Sequence, residues 1–172
     1  VGPDRRDSLV GNLHPGKKLL YSALLGSWTL IRIYNSAILG YPWGFRIRDI
    51  NTIAAANADS LQIRNTNLAA TARPSGSSTV HDSSQWVGVA AWFATPAYAN
   101  AGSAPRMPSA LRLTDVRSMN APNPVPAAGS PLIGSADFSN PRLSSFELTS
   151  YTGAFDPTEA MSEQWTAKWT NF

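Results

Sequence analysis

The chain of 172 residues is long enough to bury the core of one ordinary domain. Charged residues make up only 15%, below the roughly 25% usual for soluble domains, and 12 Gly and 13 Pro favour turn-rich β structure over a helical bundle. The net charge of +3 comes from scattered Arg without a dense basic run, which argues against nucleic-acid binding. The absence of Cys excludes disulfides and thiolate chemistry, and no stretch reaches the ~20 apolar residues of a membrane-spanning helix.

Residues 1–18 are polar and contain Gly11, Pro15 and Gly16, which predicts a loop. The chain begins at Val1 without an initiator Met or a signal peptide, so we expect it to be a fragment or a processed piece of a longer protein. From residue 19 to residue 49 the pattern becomes strand-like, with a turn at residues 40–44.

Two short phrases, residues 31–39 and residues 61–69, repeat each other position by position. Each phrase alternates apolar and polar residues, reaches an Asn, and then adds a short apolar pair. One short strand and one Asn turn at a fixed interval are typical of a parallel solenoid, in which coils stack about 4.8 Å apart. The phrases therefore predict a structural ladder of stacked pairs: Ile31 over Leu61, Ile33 over Ile63, and Asn35 over Asn65.

A Ser-rich stretch follows and leads into a predicted helix from Ser84 to Ala94. Trp86 and Trp92 lie in this helical excursion and form the candidate display surface, on which a sugar ring could stack. Packing of the two rings against the rest of the domain is the favoured alternative, because a helix that leaves a solenoid must dock somewhere.

The C-terminal part contains the clearest helix signal in the chain. Residues 126–132 include two Pro and a Gly and cannot be helical. Asp156 suits an N-cap and Glu159 completes a capping box. Trp165 and Trp169 continue an apolar stripe at helical spacing. We expect a helix that covers the open end of the solenoid, in preference to an aromatic ligand site.

Several phrases together resemble the C-terminal portion of a family of secreted or outer-surface Bacteroidota proteins, including lipoproteins, of unknown function. The resembling stretches are residues 1–3, 33–44, 61–65, 126–132, 136–138, 151–155 and 165–172. The resemblance implies a right-handed parallel β-helix, further coils at the amino-terminal side, and a location outside the cell or on the outer membrane. The family has no established catalytic motif, so it transfers no active-site residue.

Catalytic and metal-binding patterns are weak. The two His, His14 and His81, lie in polar segments without Cys or spaced carboxylate partners, which argues against zinc. Carboxylates and Arg on strand faces could form a polysaccharide-cleaving groove, with candidates Asp49, Asp59, Asp115, Arg46, Arg48 and Arg112. Solvated strand faces are the favoured interpretation of these charges.

The sequence thus predicts an all-β fold: the end of a right-handed parallel β-helix with a helical excursion and a C-terminal capping helix. Residues 1–125 would form the coils with their loop and helical excursions, and residues 126–172 the C-terminal end with its capping helix, within one continuous domain. We expect a non-enzymatic cell-surface structural or protein-interaction module without a cofactor or metal. Its partner would be another protein, or further coils of the same chain, and the isolated segment would fold poorly or self-associate. The alternative is a carbohydrate-binding or polysaccharide-cleaving protein with a glycan ligand.

Overall fold

The computed structural model describes residues 21–25, 30–41, 43–47, 50–69, 88–103, 107–118 and 120–167. Within these ranges the chain forms short strands, two short α-helices and single turns of 3-10 helix. The strands are β1 (Tyr21–Leu25), β2 (Arg32–Leu39), β3 (Trp43–Ile47), β4 (Gln62–Ala69), β5 (Leu113–Asp115) and β6 (Asn123–Pro126). The helices are α1 (Ile50–Asn57) and α2 (Val89–Phe93), and the 3-10 turns span Pro96–Tyr98, Pro108–Leu111 and Pro141–Leu143.

The main core lies between β3, β4 and the two helices. Its fully buried side chains include Phe45 and Ile47 from β3 and Ile63 from β4, and Phe93 of α2 packs with its ring centroid 5.9 Å from that of Phe45. A smaller cluster joins the end of β4 to the C-terminal part of the chain through Ala69, Leu111 and Leu132. Burial of these apolar side chains supplies the main favourable free energy of folding.

Strands β2 and β4 run parallel in one register, from Arg32 opposite Gln62 to Leu39 opposite Ala69. Partway along, Asn35 and Asn65 both adopt left-handed backbone conformations, with φ of 47° and 48°. Asn enters this region more readily than other residues with a side chain, because its amide bonds locally. The Asn65 Nδ2 donates to the Asn35 Oδ1 over 2.7 Å. Both strands therefore bend at the same place, and the ladder continues on either side of the bend.

The outer edge of β4 is covered by the segment that follows α2. The Leu68 N–H donates to the Ala101 carbonyl over 2.8 Å, and the Ala101 N–H donates to the Thr66 carbonyl over 2.9 Å. Next to it, the Asn100 side chain accepts from the Thr66 N–H and donates to the Ile63 carbonyl, at 2.9 and 2.8 Å. An extended segment and one amide thus satisfy the backbone groups on this edge.

The prediction of a β-helix is wrong for the residues that the structure describes. They form three separate two-stranded sheets, β1–β3, β2–β4 and β5–β6, and these described residues build neither a solenoid nor a closed sheet. The two helices also depart from an all-β class. In the β1–β3 pair Tyr21 lies opposite Trp43, and in the β2–β4 pair Arg32 lies opposite Gln62. Fewer residues separate the first pair than the second, whereas regular coils of a solenoid would give both pairs the same separation. Beyond residue 107 the chain is rich in Pro, which lacks the N–H that a ladder needs, and β5 and β6 are antiparallel with an irregular register.

The predicted C-terminal capping helix is also wrong over the part that the structure describes, which forms turns as far as residue 167. Asp156 does begin like an N-cap, because its Oδ1 accepts the Thr158 N–H over 2.7 Å. The buried Gln164 then holds the segment in turns instead of a helix. Its Oε1 accepts the Asp156 N–H, and its Nε2 donates to the Asp156 and Glu159 carbonyls. Those carbonyls would be hydrogen-bonded within a helix. Trp169 lies outside the described residues.

Of the two helices, α1 was not predicted, whereas α2 lies within a predicted helix. Helix α1 follows β3 closely and buries Thr52, Ile53 and Ala56, although only its run of Ala signals a helix in the sequence. The helix predicted from residue 84 to residue 94 is described from residue 88 onward, and there α2 runs from Val89 to Phe93.

Replacement of Asn65 should reveal how much the paired bend contributes to stability. We expect Asn65→Ala to lower the free energy of unfolding by about 3 kcal/mol, because it strains the left-handed backbone and leaves polar groups without the amide. Asn65→Gly keeps the backbone unstrained and should be about 1 kcal/mol less damaging. Denaturant unfolding of both variants measures the difference, and equal losses would show that the bend conformation contributes nothing.

Gly102 lies so close to β4 that a side chain at this position should destabilise the protein. A Cβ on Gly102 would lie 2.3 Å from the Leu68 carbonyl oxygen, and its φ is +98°. Gly134 is the matched control, since its φ is +70° but a Cβ there would have no atom within 4 Å. Gly134→Ala should cost about 1 kcal/mol of stability, from the backbone alone. Gly102→Ala should cost at least about 2 kcal/mol, because β4 must also shift; similar thermal midpoints for the two variants would contradict this.

Candidate functional site

The two Asn side chains at the bend also hold the C-terminal part of the chain in place. The Asn35 Nδ2 donates to the Asp137 carbonyl over 3.0 Å, and the Asp137 N–H donates back to the Asn35 Oδ1 over 2.9 Å. The Asn65 Nδ2 lies 2.6 Å from the Ser135 carbonyl and 3.3 Å from the Thr152 Oγ1. Residues 130–155, which we call the closing segment, are therefore docked by the same amides that align β2 with β4.

The structure places the predicted ladder residues unevenly. Leu61 and Ile63 are fully buried, and Ile33 packs against the core while partly exposed. Ile31 was expected in the interior, but 37% of it is exposed, because it precedes β2 and contributes only its carbonyl, which accepts the Gln62 N–H over 3.1 Å. The predicted pairs are thus buried on the β4 side and partly exposed on the β2 side.

One edge of β2 faces away from β4. The Gly40 N–H donates to the Ala69 carbonyl over 3.1 Å, so Gly40 turns its backbone toward β4. Because neighbouring residues of a strand direct their N–H and C=O groups to opposite edges, Ile38 also faces β4, whereas Ala37 and Leu39 face outward. Among the described residues no strand pairs with this outer edge.

A cavity of about 420 Å³ adjoins the half of β2 that follows the bend. We call it the edge groove. One part of its lining is Ala37, Ile38 and Leu39 of β2, and the rest is mainly apolar: Tyr41, Leu113, Val116, Pro124, Pro126, Leu132 and Phe155. Pro124 and Pro126 carry no N–H, so they offer no backbone donor to a ligand in this groove. The edge groove combines an open strand edge with apolar walls.

The closing segment already uses one backbone group beside this groove. The Gly153 N–H donates to the Asn35 carbonyl over 2.9 Å. The approach is close, since a Cβ on Gly153 would lie 3.5 Å from the Ala37 Cβ, and the φ of +104° favours Gly. The sequence alone does not reveal this contact, because its partners lie far apart along the chain.

A second cavity, of about 380 Å³, lies on the other side of Ala154, which lines both cavities. We call it the acidic pocket, because Glu147, Asp156 and Glu159 line it together with Tyr151 and Trp165. All three Glu of the chain fall between residues 147 and 163. That clustering was the available sequence signal for this pocket.

Electrostatics in the acidic pocket act on Tyr151. Burial raises the pKa of the Tyr151 hydroxyl above its ordinary value, and the charges of Asp156, Glu159 and Glu147 raise it further. The pKa of the Asp156 carboxyl is held below its usual value by hydrogen bonds from the hydroxyl and the N–H of Thr158. Asp156 therefore keeps its negative charge near Tyr151 at neutral pH.

The structure buries Trp92 and exposes Trp165. Trp92 was named as a candidate for display, with packing favoured, and it is 8% exposed and packs edge-on against Tyr98, with ring centroids 5.8 Å apart. Trp86 lies outside the described residues. Trp165 was expected to pack under a capping helix, but it is 56% exposed, with its ring 6.0 Å from that of Phe155. Among these described rings, Trp165 is the one on the surface.

Two carboxylates considered for polysaccharide cleavage, Asp59 and Asp115, have separate partners. Asp59 forms an ion pair with Arg64, whose guanidinium lies 3.4 Å from the centre of the Tyr98 ring. Asp115 instead accepts the Ser118 N–H over 3.1 Å. The described residues also contain no group of three or more His, Asp and Glu that could hold a metal ion. Four residues considered for chemistry lie outside the described ranges: His14, Arg48, Asp49 and His81.

Comparison with known proteins identifies no relative: the chain matches no protein-family model, no curated protein and no solved structure. The resemblance to Bacteroidota surface proteins and the location that it implies therefore stay predictions. In the described ranges, none of the helices has the length and apolar character needed to cross a membrane.

Titration of Tyr151 should report the charge of the acidic pocket. Asp156→Asn removes one charge but keeps an oxygen that can accept from Thr158, so we expect the pKa of Tyr151 to fall toward its ordinary value of 10.0. Glu163→Gln is the matched control, because Glu163 is not among the carboxylates that raise this pKa. NMR of ring-labelled Tyr as the pH is raised measures both, and an unchanged pKa in Asp156→Asn would contradict the assignment.

Proposed function

We propose that this chain is a non-enzymatic protein-interaction module, working at the extracellular or outer-membrane surface that the family resemblance implies. Its docking site is the edge groove. The observation that carries the proposal is the outer edge of β2, where Ala37 and Leu39 present backbone groups beside apolar walls. The partner is an extended polypeptide segment that adds to β2 as a strand and places apolar side chains in the groove.

The chemistry of the groove supports a polypeptide over a small molecule. An open strand edge offers alternating N–H and C=O groups, and these are best satisfied by the backbone of another strand. Val116, Pro124 and Phe155 offer apolar contact but no charge, so the groove favours apolar over charged side chains. Specificity would come from the fit of alternate side chains, because the backbone bonds are the same for any sequence.

Carbohydrate binding, the alternative prediction, has less support. Trp165 is exposed beside Tyr151, as a sugar platform requires. However, Glu147, Asp156 and Glu159 line the same pocket and would repel an anionic polysaccharide. The burial of Trp92 excludes it from a sugar platform.

Selection from a phage-displayed library of random short peptides tests the proposed docking site. We expect the immobilised protein to retain peptides in which apolar residues alternate with others, and Val116→Arg to reduce their retention at least about tenfold, because a charged side chain would fill the groove. Ile133→Arg is the matched control, since Ile133 is exposed and lines neither cavity. Failure to enrich such peptides, or equal retention by Val116→Arg, would overturn the proposal.

A further inference from the structure

We infer that the partner strand lies parallel to β2 and bends in register with Asn35, so that it carries a residue tolerant of left-handed backbone, Asn or Gly, at the position opposite Asn35. This inference rests on the proposed function, because it names the kind of segment that the edge groove accepts. It follows from how β2 is already paired on its other side.

The residues whose backbone groups lie on the outer edge of β2 correspond in register to the residues by which β4 bonds to β2. The Gln62 N–H and the Ala69 carbonyl of β4 bond to β2. In the register of the two strands, the residues of β2 that correspond to them are Arg32 and Leu39. A strand placed on β2 as β2 is placed on β4 would therefore continue an existing parallel ladder.

The bend limits which strands can do this. A left-handed residue turns the chain sharply, and β2 and β4 stay paired on both sides only because Asn35 and Asn65 turn together, with φ of 47° and 48°. A strand without such a residue could pair with the half of β2 before the bend or the half after it, but not with both. Asn and Gly reach this conformation readily, whereas a β-branched residue does so at a high cost.

At the bend itself the closing segment already bonds to Asn35, through both its side-chain amide and its carbonyl. The Asn35 carbonyl is taken by the Gly153 N–H, so the added strand would form no bond there. Its backbone bonds would go to residues before and after the bend, chiefly Tyr34, Ala37 and Leu39, of which the last two line the edge groove. β4 offers no equivalent position, because Ala101 already bonds to its outer edge.

The chain's own phrase supplies the probe. A labelled, end-blocked peptide with the sequence of residues 61–69 carries Asn65 at the required position, and two further versions carry Asn65→Gly and Asn65→Val. Fluorescence anisotropy with the whole chain should give dissociation constants for the Asn and Gly peptides within about threefold of each other. The Val peptide should bind about tenfold more weakly, because it must bear the strain of the left-handed position.

A protein variant locates the binding edge. Ala37→Pro removes an outward N–H, and Pro is tolerated on the open edge of a strand. We expect it to weaken binding of the Asn peptide at least about tenfold while hydrogen exchange shows the β2–β4 amides still protected. Should this variant not fold, the peptide series on the unaltered protein still decides the matter.

The outcomes separate this inference from the proposed function. Equal binding of the Val and Asn peptides, or no binding of any of the three while library peptides still depend on Val116, would overturn the bent parallel partner and leave the docking site in place. Failure of the library peptides as well would overturn both. The inference requires that the Val peptide bind more weakly than the Asn and Gly peptides, and that Ala37→Pro weaken binding of the Asn peptide.

Discussion

The paired bend at Asn35 and Asn65 is the constraint on which the rest of this structure depends. A parallel ladder can cross a sharp bend only where both strands turn at the same residue, and left-handed backbone is costly for most side chains. Asn lowers that cost, and its amide remains available for further bonds. The amide of Asn65 joins the two strands, and together with that of Asn35 it docks Ser135 and Asp137 of the closing segment. Strand register and the position of the C-terminal part are thus set by the same atoms.

Docking of the closing segment makes the two edges of the β2–β4 pair different. On β4, Asn100 and Ala101 satisfy the outward backbone groups. On β2 the closing segment supplies one backbone–backbone bond, from Gly153 to Asn35, and its residues Thr152 to Phe155 line the edge groove. Charge is distributed unevenly as well, because residues 126–172 contain five carboxylates and two basic residues in a chain of net charge +3. The edge groove is lined mainly by apolar residues, whereas Glu147, Asp156 and Glu159 line the neighbouring acidic pocket.

The spacing of the two repeated phrases is the register of β2 on β4, and the left-handed conformation suits the Asn in each phrase. Two copies could not show whether the pattern continues, and the β1–β3 pair does not share the spacing. The stripe through Trp165 has helical periodicity, but the buried amide of Gln164 bonds to the backbone at Asp156 and holds the segment in turns. Periodicity records which residues prefer burial and does not reveal what covers them, which is why Trp165, although expected to pack, is exposed.

An open strand edge is a hazard for a protein, because it can pair with any extended chain. Charged residues, Pro or a covering segment commonly protect such edges, and β4 is protected in the last way. Between Tyr34 and Leu39 the outer edge of β2 carries neither a charge nor a Pro. The two Pro that line the groove lie on β6, where their missing N–H groups leave β2 as the principal ladder for an incoming strand. A strand entering the groove would therefore pair on one side only, and the bend at Asn35 would restrict which strands could remain there.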